Sequence, residues 1–159
     1  MIERTLVLIK PDGVQRGLMG EITTRFEKVG LKIVGIKMQW VDKEFAREHY
    51  AAHVEKKFYP GLEAMITEGP VLAMVLEGLH AVELVRKMVG ATEPKSAPPG
   101  TIRGDYSHHS YAYTDAQGKS IKNLVHASGN LEEAKQEINL WFKEEEIHTY
   151  KTVNEIHVF

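Results

Sequence analysis

Three cations stand where a phosphate-rich ligand would need them. Lys10 closes a short apolar run just before Pro11-Asp12-Gly13, Arg103 lies with Thr101 in a glycine-rich loop, and Arg86 falls on the polar side of an apolar-periodic segment. Arginine forks and lysine point charges suit the dispersed negative charge of a polyphosphate. Each also suits a plain solvated surface, and spacing alone leaves both readings open. Histidines offer a second chemistry. His49 and His53 are four apart, as paired metal ligands on one helix face would be, and His108-His109 adjoin in a loop. With no third ligand in sight, an ordinary helix face and two solvated loop histidines are the preferred readings. The common motifs fail. Gly118-Lys119-Ser120 has Tyr113 where a P-loop needs its first glycine, and no G-x-G-x-x-G, H-E-x-x-H, EF-hand loop or G-x-S-x-G is present.

These side chains must be carried by a small set of elements. Leu6 to Ile9 reads as a buried strand closed by a Pro-Asp-Gly turn. Ile22, Phe26 and Val29 recur at helical spacing, and Gly30 stands where a C-cap glycine belongs. Val34, Ile36, Met38 and Trp40 alternate, which predicts a half-buried second strand. Asp42 predicts a helix N-cap, with the helix running to about Val54. Pro60-Gly61 interrupts, a short helical piece covers Leu62 to Thr67, and Val71 to Leu76 is a third strand. Ala81, Leu84, Val85, Met88 and Val89 mark a clear amphipathic helix ending at Gly90. Residues 91–120, rich in Pro and Gly, read as one long irregular stretch. Asn123-Leu124-Val125 is a short last strand, and Asn130 with Glu133 predicts a capped final helix buried through Leu131, Ala134, Ile138 and Trp141. Strands alternating with helices predict an α/β or α+β sandwich, with helices over one face of the sheet.

Composition narrows the class. The chain has 159 residues, 43% hydrophobic and 26% charged, which suits one soluble domain with a real core. Twenty basic against 22 acidic residues exclude a broadly basic nucleic-acid-coating protein, though not a local cationic pocket. With no cysteine, disulfides, thiolate metal sites and cysteine catalysis are excluded. No apolar run is long enough for a signal-peptide core or a membrane helix, so a cytoplasmic protein is expected.

Three separated stretches then appear in order: Thr5-Leu6-Val7-Leu8-Ile9-Lys10-Pro11-Asp12-Gly13-Val14-Gln15-Arg16-Gly17, Gly100-Thr101-Ile102-Arg103-Gly104-Asp105, and Asn123-Leu124-Val125-His126-Ala127-Ser128. Together they resemble the nucleoside diphosphate kinase family, from about Arg4 to Trp141. The resemblance implies a single 1–159 domain of the α+β class: a ferredoxin-like βαββαβ sandwich with a four-stranded antiparallel sheet and additional helices. It implies γ-phosphoryl transfer from a nucleoside triphosphate, typically ATP, to a nucleoside diphosphate, with Mg²⁺ on the nucleotide phosphates. The route would be ping-pong through phospho-His126, a step that suits imidazole near neutral pH. It also implies a homo-oligomer, a hexamer in preference to a tetramer, needing neither membrane nor nucleic acid.

Residue by residue, the resemblance gives His126 as nucleophile, with Glu137, Ser128 and Tyr50 beside it. Phe58 matches the aromatic that stacks on the base, with Leu62 next to it. Lys10 and Asn123 match groups reaching the ribose 3′-hydroxyl, Lys10 also approaching the terminal phosphates, and Arg86, Thr92 and Arg103 match a phosphate clamp. The chain departs from the family pattern twice. Gly129 stands where an acidic residue is usual after His126-Ala127-Ser128. About ten extra residues lie around 106–120, a length that marks a functional or mobile segment, expected here as a subunit contact or a solvated excursion rather than a cover over the cleft. The competing expectation is a catalytically impaired family member that binds nucleotide and serves as an interaction module.

Overall fold

The structure, a computed structural model, describes residues 1–158. Its elements in chain order are β1 (Ile2–Ile9), α1 (Pro11–Gln15), α2 (Met19–Lys28), β2 (Lys32–Gln39), α3 (Lys43–His49), α4 (Tyr59–Thr67), β3 (Val71–Leu79), α5 (Ala81–Val89), α6 (Ile102–Tyr106), α7 (Tyr111–Ala116), β4 (Val125–Ala127), α8 (Leu131–Trp141) and α9 (Val153–His157). The four strands form one sheet in the order β2-β3-β1-β4, every neighbouring pair antiparallel. This is the βαββαβ trace, with α3 and α4 added between β2 and β3, α6 and α7 added before β4, and α8 following it.

Both faces of the sheet are covered, not the single face expected. Val7, Ile9, Met74 and Leu76 meet α2 and α5 on one side; Leu6, Leu8, Ala73 and Val75 meet α3, α4 and α8 on the other. The unbroken run Leu6 to Ile9, fully buried, carries that fact: a strand with one wet face would alternate instead.

β2 departs from its predicted pattern for a related reason. A register shift between Ile33 and Gly35 opposes an extra residue to β3, so the faces reverse after Val34. Ile36 and Met38, expected inward, are each about half exposed, while Gly35 packs against the Phe142 ring. Pro11 opens α1 rather than a turn, and Pro60-Gly61 lies inside the first turn of α4, where a proline's missing N–H costs nothing. α3 ends at His49, short of Val54. The 91–120 stretch is not irregular throughout, because Thr101 caps α6 and Ser110 caps α7 through their side chains. β4 begins at Val125, two residues beyond the expected start. Asn130 caps α8 as predicted, accepting from Glu133 N, but Leu131 at the helix start is exposed rather than buried. Among the described residues no helix is long and apolar enough to cross a membrane.

Candidate active site

β4 and α8 build the centre of the site together. His126 sits in β4 opposite Leu8, and the Asn130 cap starts α8 so that Glu137 comes back beneath the imidazole. His126 Nε2 lies 2.9 Å from Glu137 Oε1, and Ser128 Oγ donates to Glu137 Oε2 at 2.6 Å. Burial alone would raise the Glu137 carboxyl, but its bonds from His126 and Ser128 outweigh that and hold it below the usual carboxylate range. An ionised carboxylate accepts only, so Nε2 must be the N–H nitrogen and Nδ1 keeps the free lone pair. Ser128 is itself fixed by Leu6 of β1, exchanging a backbone N–H and a hydroxyl contact at 3.2 Å.

Lys10 and Asn123 meet beside this centre. The Lys10 ammonium donates to Asn123 Oδ1, and Asn123 Nδ2 donates to the Thr92 carbonyl at 2.8 Å. Lys10 is buried, and desolvation pulls its ammonium down to about 8 despite the Asp12 carboxylate nearby. Asp12 accepts from Leu124 N at 3.0 Å, holding Leu124 in a left-handed conformation at φ 71° that costs a leucine about 1–2 kcal/mol. That twist lies between Asn123 and His126, and so sets how the two side chains leave the backbone.

Arg103 is buried, and three of its N–H groups are spent on carbonyls: Asn123 at 3.1 Å, Gly90 at 3.1 Å and Val125 at 2.5 Å. Burial and the nearby Arg86 guanidinium lower it to about 10. A guanidinium has five such donors, so two remain for a ligand. Arg86 is exposed on α5, with one contact to the Ala127 carbonyl at 3.4 Å. Phe58, just before α4, is 51% exposed, which removes the reading of it as a core aromatic. It lines a cavity of about 820 Å³ with Lys10, Thr92 and Asn123. Tyr50 closes α3, its ring against His49, and burial with the Glu137 carboxylate pushes its phenol upward.

His49 is the group the sequence left among ordinary helix-face residues. Its ring lies 4.8 Å from the His126 ring at near right angles, and its Nδ1 accepts from Trp141 Nε1 at 3.1 Å. Burial and repulsion from His126 push it down to about 3, so it stays neutral. No spacing rule signals this, because α3 and α8 meet only in the tertiary fold. Among the described residues, His49, His126 and Glu137 are the cluster with ligand atoms close enough for a metal, and His53, His108 and His109 do not join it. Trp141 keeps the His49 Nδ1 lone pair engaged, which leaves its hydrogen on Nε2 and disfavours that nitrogen as a ligand. The metal reading is set aside.

Two departures from the family pattern also find places. Gly129 N donates to Glu133 Oε2 at 2.9 Å, so a carboxylate still reaches this loop, from one turn into α8. The extra segment is not a solvated excursion: α7 and residues 118–121 form part of the wall of the cavity that holds Phe58.

A carboxylate-backed imidazole with one free nitrogen, beside a buried lysine and two arginines on an α+β sandwich, has the chemistry that phosphoryl transfer requires. The nucleoside diphosphate kinase family profile matches residues 3–147, and the chain belongs to that family. A nucleoside diphosphate kinase of Pyrococcus furiosus is 57% identical over 94% of this chain and 88% of its own length. A solved structure from Borrelia burgdorferi, a transition-state mimic with bound vanadate and ADP, superposes with a TM-score of 0.93 at 47% identity, covering 97% of this chain and 95% of its own. A nucleoside diphosphate kinase from Halobacterium salinarum in complex with CDP gives a TM-score of 0.88 at 45% identity, covering 100% and 99%.

Proposed function

We propose that the chain, acting as one 1–159 domain, transfers the γ-phosphoryl group of a nucleoside triphosphate to a nucleoside diphosphate through His126. The observation that carries the proposal is the bond from His126 Nε2 to Glu137, which leaves Nδ1 as the nucleophilic nitrogen. In the first half-reaction the Nδ1 lone pair forms a bond to the γ-phosphorus while the bridging bond to the β-phosphate breaks, and the diphosphate leaves. In the second, a terminal oxygen of the acceptor diphosphate takes the phosphoryl group and the lone pair returns to Nδ1. Glu137 stabilises the charge that develops on the ring and keeps the tautomer; Ser128 and Tyr50 hold their neighbours in place.

Lys10, Arg86 and Arg103 neutralise the phosphates, Thr92 and Asn123 orient phosphate and ribose, and Phe58 stacks on the base. The donor set fits Mg²⁺ carried on the nucleotide. Both oxygens of Glu137 are committed, to His126 and Ser128, and the side chains facing the phosphates are the cations Lys10, Arg86 and Arg103, so the substrate oxygens would hold the ion. Carried there, Mg²⁺ would supply positive charge against the charge that develops on the phosphates. Oligomerisation is part of the proposal, supported by the outermost strand β2, whose half-exposed Ile36 and Met38 suit a second copy; a hexamer is favoured over a tetramer. The binding-only alternative is not favoured, because the loop at Gly129 keeps its carboxylate partner.

The test is intact mass after incubation with ATP and Mg²⁺, beside His126→Ala. One acid-labile phosphoryl group on the wild type alone, discharged by added diphosphate, is expected. Full exchange by a folded His126→Ala protein overturns the route.

A further inference from the structure

The extra segment around 106–120 is built to do something at the cleft. α7 is tied at its start to the turn beside Thr92: Tyr111 N donates to Glu93 Oε1 at 2.9 Å, and Lys95 N to the His109 carbonyl at 3.0 Å. At its far end the strip 118–121 lies against α4, so close that a Cβ on Gly61 would come 2.4 Å from Ser120 Oγ. Gly61 is therefore the residue that lets this strip close against the aromatic side of the cleft. The segment is anchored at both ends of the same 820 Å³ cavity, with Thr114 buried as its internal anchor.

Two charged side chains of the segment line the cavity, Asp115 on α7 and Lys119 just after it. Both are exposed, and among the described residues neither has an oppositely charged group within 4.0 Å. Lys122, a few residues on, is by contrast occupied by Glu68 at 2.7 Å. A carboxylate only accepts hydrogen bonds and an ammonium only donates them. Phe58, on the same cavity, offers the ring on which any base can stack without discrimination. Edge recognition has to come from elsewhere in the wall.

We propose that Asp115 and Lys119 read the edge of the base stacked on Phe58, and that they favour guanine. This rests on the cavity being the nucleotide cleft. Guanine presents two adjacent donors, N1–H and the 2-amino group, which one carboxylate accepts in parallel, and beside them the O6 acceptor for an ammonium. Adenine, cytosine and uracil each offer a carboxylate a single donor on that edge. The segment thus adds base preference to a site whose stacking platform has none.

The experiment compares kcat/KM for GDP, ADP, CDP and UDP as acceptors with ATP as donor, in the wild type, Asp115→Asn, Lys119→Met and Phe58→Ala. The wild type is expected to favour GDP. Asp115→Asn is expected to cut the GDP value about five- to ten-fold more than the UDP value, and Lys119→Met to cut it by about as much more than the ADP value, because uracil shares the O6-like acceptor and adenine does not; a wet contact of this kind sits at the low end of base-edge discrimination. Saturating kcat and the unfolding temperature should stay put, a pattern that mere support of the loop would not produce. An equal change for all four acceptors, or none, overturns the proposal. Phe58→Ala should raise KM for every acceptor; if it changes none, the cleft assignment itself is wrong.

Discussion

Lys10 shows how one buried residue ties pH to both function and stability. Desolvation lowers its ammonium from 10.5 to about 8 in the fold. As pH rises through about 8, free enzyme loses this positive charge, so kcat/KM for nucleotide falls. The unfolded chain still holds the proton up to about 10.5, so over that window it binds more protons and Lys10's own contribution to stability rises with pH. The two trends have opposite signs. A pH profile of kcat/KM beside denaturant melts, each against Lys10→Met, checks both: the alkaline loss of activity and the alkaline gain of stability should be smaller in the variant. A stability gain of equal size in Lys10→Met would show that other groups produce it.

At the scale of elements, the helix that carries Glu137 is held by a cap the sequence already displays. Asn130 Oδ1 accepts from Glu133 N at 2.9 Å, and Glu133 in turn takes Gly129 N and the Asn130 amide. Asn130→Ala removes the cap and should cost about 1 kcal/mol of stability. Because Glu137 lies two turns further along α8, fraying at the start also loosens the Glu137–His126 bond. Denaturant unfolding should report the first effect, and single-turnover phosphorylation of His126 a drop of several-fold with little change in nucleotide KM. An unchanged phosphorylation rate in a destabilised protein would separate the cap from the chemistry. The elements were largely legible in the residues: the α5 periodicity, the Asp42 and Asn130 caps and the run from Leu6 to Ile9 each named their element. The β2 faces were not, because one extra residue at Val34 reverses everything after it and leaves no compositional mark.

For the whole molecule, the outer edge of the sheet beyond Gly35, past the stretch where His148 N and Tyr150 OH cover the Val34 and Ile33 carbonyls, is the feature that suits a partner. β2 is the outermost strand, and Ile36 and Met38 are each about half exposed there. An uncovered stretch of edge strand is a template for pairing, and the proposed partner is a second copy of the same strand, running antiparallel across a two-fold axis. Ile36→Lys with Met38→Glu should lower the mass seen by light scattering to that of a smaller assembly, with the strand content by circular dichroism unchanged. An unaltered mass would move the subunit contact elsewhere on the surface.

The sequence by itself determined the family and the α+β class, and it supplied the residues proposed around the phosphates, because those rest on short stretches in fixed order: Lys10 after its strand, Arg103 after its capping threonine, His126 before Ser128. Only the tertiary structure decided which nitrogen of His126 is free, since Glu137 reaches it from a different element. It likewise brought His49 and Trp141 to the site, spent three donors of Arg103 on the loops that frame it, and turned the extra segment from a surface excursion into a wall of the cleft. Local rules see neighbours along the chain, whereas a hydrogen bond depends on where two distant side chains meet, and that is set by how the helices pack on the sheet.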